Sequence, residues 1–151
     1  FFFQVQAGFI LLFALPIYAA AANPIPRLTW MDLVGLLVAA AAIGGETLSD
    51  RQLKRFISDP ANRHQTCDVG LWRYSRHPNY FFECVHWFAY VCWAAGTSLF
   101  WLALPAPFVM LAFIVFFTGI PHTEKQAMSH RPDYAEYKRR TSMLIPWFPR
   151  D

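Results

Sequence analysis

Charge is scarce in this chain. Charged residues make up 15% of it, against roughly 25% in a soluble domain, so an ordinary water-soluble fold is a poor reading of its length. The shortage is uneven: no Asp, Glu, Lys or Arg occurs in 1–26, 33–45 or 84–123. Cysteine is sparse as well. Cys67, Cys84 and Cys92 are odd in number and lack metal-ligand spacing, which argues against a disulfide framework or a zinc site and for buried thiols. No metal centre is expected. Internal repeats, low-complexity segments and sustained heptads are missing too. The opening Phe1-Phe2-Phe3 follows neither an initiator Met nor a basic n-region, so no signal peptide is read. The chain is expected to be the C-terminal part of a longer one.

Apolar residues are abundant instead, at 56%, with 18% aromatic. A bilayer core needs about 20 mostly apolar residues per helix. Four stretches approach this: about 2–22, 30–45, 80–95 and 99–120. Pro105 and Pro107 are expected kinks in the last. Gly96-Thr97-Ser98 is a tight turn, so the last two spans form a hairpin. The fold class expected is all-α, a multi-pass transmembrane helical bundle forming a single membrane domain over 1–151.

Of the 13 basic residues, 12 lie in 46–79 and 121–151. One helical hairpin separates these segments, so both share one face, and the positive-inside rule makes that face cytoplasmic or its equivalent. The protein is expected to be integral to a membrane, whether endoplasmic reticulum, organelle or bacterial inner membrane. Membrane lipids are its expected surroundings. A nucleic-acid role is not expected, because no recognition module accompanies the basic residues.

The polar segments carry the candidate chemistry. Glu46, Asp50 and Lys54 form one stripe on a helix continuing the second span, which Asp59-Pro60 ends. Two ion pairs on a solvated helix end would explain that stripe. Carboxylates for ribose or amide groups, with Lys54 or Arg55 for phosphate, would explain it too. Gly70-Leu-Trp-Arg73-Tyr74-Ser75-Arg76-His77-Pro78-Asn79-Tyr80 is the densest polar cluster. Arg73 and Arg76 can grip phosphate as forks. Ser75, Asn79 and Tyr80 can complete the hydrogen bonds, and Pro78 opens a helix with unpaired N–H groups. A membrane-interface belt has similar composition. Glu83, one turn beyond Tyr80 inside an apolar span, favours a site, since an ionisable group there needs a partner or a cavity. His86 reads as a hydrogen-bonded core histidine. In the tail, Tyr134 and Tyr137 sit i, i+3 on a short helix, which could instead lie on anionic lipid. Leu144-Ile-Pro-Trp-Phe-Pro149 is expected to pack back on the bundle.

The segment 70–80 followed by Glu83 resembles the hallmark of steroid 5-alpha-reductase-like membrane reductases, with the bacterial DUF1295 branch as the nearest resemblance. The likeness extends to Glu46 and Asp50-x-Gln-Leu upstream. Downstream it includes Gly-Ile-Pro, Glu124, Tyr134-x-x-Tyr137-x-x-Arg140-Thr141 and Ile145-Pro146-Trp147. It implies a bundle of about seven helices in a complete member, of which this chain supplies the last four. It also implies NADPH held by the loop 46–79 and tail 121–151, and reduction of an activated carbon–carbon double bond in a steroid-like or isoprenoid lipid. The same resemblance would put Asp50, Arg73, Asn79, Tyr80, Glu83, His122, Glu124 and Tyr137 near the cofactor, with Arg76 or Arg140 neutralising phosphate. Tyr74, Ser75, His77 and Tyr134 are part of the matching motifs and join the candidate site. The family's proton-donating residues lie in the N-terminal half, so no catalytic acid is assigned here. One departure stands out: Phe82 occupies a position where the family usually has Gly. Isoprenylcysteine methyltransferases share a related Arg-His-Pro-x-Tyr segment and bind S-adenosylmethionine, which leaves that cofactor as an alternative. A third reading is a non-catalytic subunit of a larger membrane complex, with other membrane subunits or the N-terminal half as partners.

Overall fold

The computed structural model describes residues 2–117 and 119–150. Helix accounts for 71% of the chain, with no strand among the described residues. The helices are α1 (Phe2–Ala21), α2 (Trp30–Ser58), α3 (Pro78–Trp93), α4 (Phe100–Ala103), α5 (Ala106–Ala112), α6 (Ile120–His130) and α7 (Tyr134–Arg140). A π-helical turn, Phe113–Phe117, follows α5, and short 3₁₀ turns occupy Pro60–Asn62 and Gly70–Arg73. Two stretches are long and apolar enough to cross a membrane, Trp30–Ser58 and Phe100–His130. The apolar Gln6–Ala21 is shorter, and α3 has 16 residues. Two of the four expected spans therefore reach the required length.

The chain divides into two compact units, one of Phe1–Ala41 with Cys84–Met110 and one of Ala42–Glu83 with Leu111–Asp151. The first is packed on small residues. Ala19, Ala94 and Ala103 are fully buried, with Val91 and Leu99 against them. The α2 start is capped reciprocally: Thr29 N and Oγ1 donate to Asp32 Oδ2 at 2.6 and 2.8 Å, and Asp32 N donates back to Thr29 Oγ1 at 3.4 Å, leaving one fewer orphan N–H in the first turn. Trp93 ties the unit together. Its Nε1 donates to Asp32 O at 3.2 Å, and its carbonyl accepts from Asn23 Nδ2 at 2.8 Å. The expected turn at Gly96-Thr97-Ser98 is present, with Gly96 at φ +80°, a region open to glycine.

In the second unit, α2 runs on to Ser58 and stops where Asp59-Pro60 was expected to stop it. Asp59 Oδ1 then caps the next turn by accepting from Ala61 N at 2.9 Å. Phe82 finds its room at Gly45, where a Cβ would collide with the Phe82 ring. The bulk of Phe82 thus packs on a neighbouring helix.

Candidate functional site

The site grows from how the segment 70–77 is pinned inside the second unit. Gly70 takes φ +59°, and a Cβ there would strike the Gln52 amide. With no side chain in the way, Leu71 N reaches Gln52 Oε1 at 2.9 Å. Trp72 is buried and donates from Nε1 to Ser49 O at 2.9 Å. The fully buried Ser75 donates to Leu144 O at 2.7 Å and accepts from His77 N at 3.1 Å. Tyr137 Oη donates to Trp72 O at 2.5 Å, with Ser75 O at 3.2 Å. The arginine-rich stretch and the tyrosine-bearing tail thus share one hydrogen-bond network.

Arg76 is the hub of that network. Its Nε donates to Glu124 Oε1 at 2.8 Å, and its Nη1 donates to Lys138 O and Thr141 O, each at 2.8 Å. Lys138 Nζ closes on Glu124 Oε2 at 2.6 Å. A guanidinium buried with a carboxylate and two carbonyls holds α6, α7 and the Gly70–Arg73 turn together. Nε and Nη1 of the guanidinium are thus engaged within the protein, and Nη2 makes no hydrogen bond among the described residues. His77 Nε2 is buried without a hydrogen bond. Glu124 Oε1 lies 3.4 Å away, an ion-pair distance that matters only if the ring is protonated. Burial pushes His77 below the ordinary histidine value, against the pull of Glu124. Its ring stacks on Tyr80, with centroids 5.3 Å apart and planes 7° from parallel.

Beside this network is a cavity of about 510 Å³, within the ~300–1,000 Å³ range usual for small-molecule clefts. Arg76, His77, Asn79, Tyr80, Tyr134 and Tyr137 line it. Residues not singled out as candidates join them: Leu53, Thr66, Cys67, Trp72, Thr123, Gln126, Ala127, His130 and Arg131. The lining holds two arginines and no carboxylate. Asp133 explains how Thr66 arrives. Its two oxygens accept from Thr66 N at 2.8 Å and Thr66 Oγ1 at 2.7 Å, fixing the loop to the start of α7. Gly119 explains the position of Tyr80, since a Cβ there would sit 2.9 Å from its ring. Burial raises the Tyr134 hydroxyl to about 12 and lifts Tyr137 further. Both stay protonated at neutral pH, as hydrogen-bond donors. Burial also raises the Cys67 thiol, so it is not a ready nucleophile.

The other candidates lie elsewhere in the second unit. Asp50 Oδ1 accepts from Asn79 Nδ2 at 3.2 Å, one step behind the lining. Lys54 and Arg55 are exposed on α2. Arg73 and Arg140 share a separate cleft with Asp68, Asp133 and Glu136, whose carboxylates offset their charge. Tyr74 packs edge-on against Phe148, and its carbonyl accepts from Trp147 N at 2.9 Å. Glu83 is half-buried on α3 and His122 exposed on α6; neither lines the cavity. Glu124 is buried as the partner of Arg76 and Lys138. No group of three or more His, Cys, Asp or Glu side chains among the described residues is arranged to hold a metal.

Comparison with known proteins agrees with the motif. No curated protein matches the chain. No solved structure matches it either. The family model described as "Protein of unknown function (DUF1295)" matches residues 1–141. The chain therefore belongs to the DUF1295 family, which includes steroid 5-alpha-reductase-like proteins.

Proposed function

We propose that this protein is a multi-pass membrane reductase that holds NADPH in the cavity beside Arg76 and reduces an activated carbon–carbon double bond of a steroid-like or isoprenoid lipid. The observation that carries the reading is the cavity lining: two arginines, several aromatic rings and no carboxylate. Arg131 and Arg76 Nη2 suit phosphate oxygens. The stacked His77–Tyr80 pair offers a flat face to a ring, and Asn79, Gln126 and Thr123 offer amide and hydroxyl partners. NADPH supplies the hydride when bound; the residues here bind and orient. Methyl transfer fits less well, because the sulfonium and ammonium of S-adenosylmethionine would meet arginines with no lining carboxylate to pair with. The multi-pass arrangement is supported by the two long apolar stretches and by Ile10, Leu11, Leu37 and Trp101, whose exposed side chains suit lipid. A four-span topology within a seven-helix whole, with both basic segments on the cytoplasmic face, follows from the resemblance and from the placing of those segments.

Titrating the full-length protein with NADPH tests the reading. Saturable binding is expected, weakened about tenfold by Arg131→Gln, a loss of about 1.4 kcal/mol. S-Adenosylmethionine is expected to give no saturation. If neither cofactor binds and the chain copurifies in a fixed-stoichiometry assembly, the structural-subunit reading replaces this one.

A further inference from the structure

The C-terminal segment shows an unusual division between backbone and side chains. Its backbone is pinned: Ser142 O accepts from Arg76 N at 2.8 Å, Trp147 N donates to Tyr74 O at 2.9 Å, and Arg150 N donates to Arg140 O at 2.9 Å. Leu144 is buried. Yet Ile145, Trp147 and Phe148 are 65%, 69% and 75% exposed. Pro146 and Pro149 restrict the chain around them. Three large apolar side chains are thus held outward on a fixed loop, so contact with a partner would order little further chain.

The charges beside them set the partner's sign. A cleft of about 360 Å³ joins Trp147 and Phe148 to five basic residues, Arg76, Lys138, Arg139, Arg140 and Arg150, and no carboxylate lines it. Arg76 and Lys138 are held by Glu124 and Arg139 by Glu136. Arg140 and Arg150 are exposed, and their side chains make no hydrogen bond or close ion pair among the described residues; Arg140 also borders the neighbouring cleft with Asp68, Asp133 and Glu136, which leaves Arg150 the cation more open to a partner. Tryptophan beside phenylalanine and exposed arginines is the chemistry of a bilayer interface, where rings sit at headgroup depth and cations meet lipid phosphate.

We infer that Ile145–Phe148, with Arg140 and Arg150, forms a docking surface for the anionic headgroups of a phospholipid bilayer. The inference shares the membrane reading proposed above but not the cofactor. Failure of NADPH to bind leaves it standing. Extraction of the protein by alkaline carbonate would refute the spans without touching this surface.

The test uses the full-length protein labelled with 5-fluorotryptophan in nanodiscs, with the Trp147 signal assigned by Trp147→Phe. The probes are phosphatidylglycerol and phosphatidylcholine carrying a nitroxide near the headgroup, a water-soluble gadolinium chelate, and inorganic phosphate. The Trp147 signal is expected to broaden at least threefold more with the phosphatidylglycerol label than with the phosphatidylcholine label. The joint change Arg140→Gln and Arg150→Gln should bring the two labels to parity, while lysine at both positions keeps the preference. The buried Trp72 signal reports whether each variant is folded, and the lysine variant decides the matter if the glutamine variant is not. Broadening by the chelate but not by lipid would overturn the inference. So would a preference unchanged by the glutamine variant, or one abolished by millimolar inorganic phosphate, which would mark a soluble-anion site.

Discussion

The two units solve the burial problem in different ways. In the first, the buried core is largely alanine, and large apolar side chains such as Leu11, Leu36 and Trp101 face outward. Tight helix approach through small residues is how helices associate where the surroundings are as apolar as the side chains. The second unit contains every buried polar or charged side chain among the described residues: Ser49, Thr66, Ser75, Arg76, His77, Glu124 and Thr141. Nearly all their polar atoms are matched, which a polar interior requires. Small buried side chains and the Trp93 hydrogen bonds hold the first unit, whereas a buried network of polar side chains holds the second and borders its cavity.

The largest test of that contrast is Arg76→Met. It leaves Lys138 as the one Lys or Arg paired with Glu124 and removes the donor from Lys138 O and Thr141 O. Losing one partner of a buried pair costs about 3–5 kcal/mol, so a large fall in thermal midpoint is expected in detergent-solubilised protein. A fall no larger than that from an exposed substitution would remove the distinction between the units. Gly45→Ala should cost less, about 1–3 kcal/mol from overpacking against Phe82. Adding Phe82→Ala should recover part of that loss, and a double-mutant cycle reads the coupling. A smaller effect is expected with pH. Folding lowers the His77 value, so the unfolded chain binds the proton more readily. Stability should be complete above pH 6.5 and decline as pH falls from there toward the folded value. Glu124, Arg76 and Lys138 face the same ring. Replacing His77 with Phe should flatten that part of a stability–pH profile. The smallest effect belongs to the exposed Glu136–Arg139 pair: Glu136→Gln should leave the thermal midpoint unchanged within error.

Much of the architecture could be read from the residues. The helical class, the end of α2 before Asp59-Pro60 and the turn at Gly96 follow from local chemistry acting on local backbone. The composition of the cavity was harder to read. Arg76, Ser75 and Tyr137 have the side chains of ligand-binding residues, but here they engage carbonyls of Lys138, Thr141, Leu144, Trp72 and Ser75. A carbonyl leaves no mark in a sequence, so anchor and ligand residues look alike. Thr66, Cys67 and Arg131 reach the cavity through contacts distant in the chain, such as that of Asp133 with Thr66. The segment after Leu144 was half legible: its backbone packs back as expected, whereas Ile145, Trp147 and Phe148 point away.

The Gly45–Phe82 contact also constrains the order in which such a chain can change. A notch must exist at 45 before bulk arrives at 82, because the reverse order forces a ring into a methyl group. A designer enlarging residue 45 relieves the collision by trimming residue 82 in the same step.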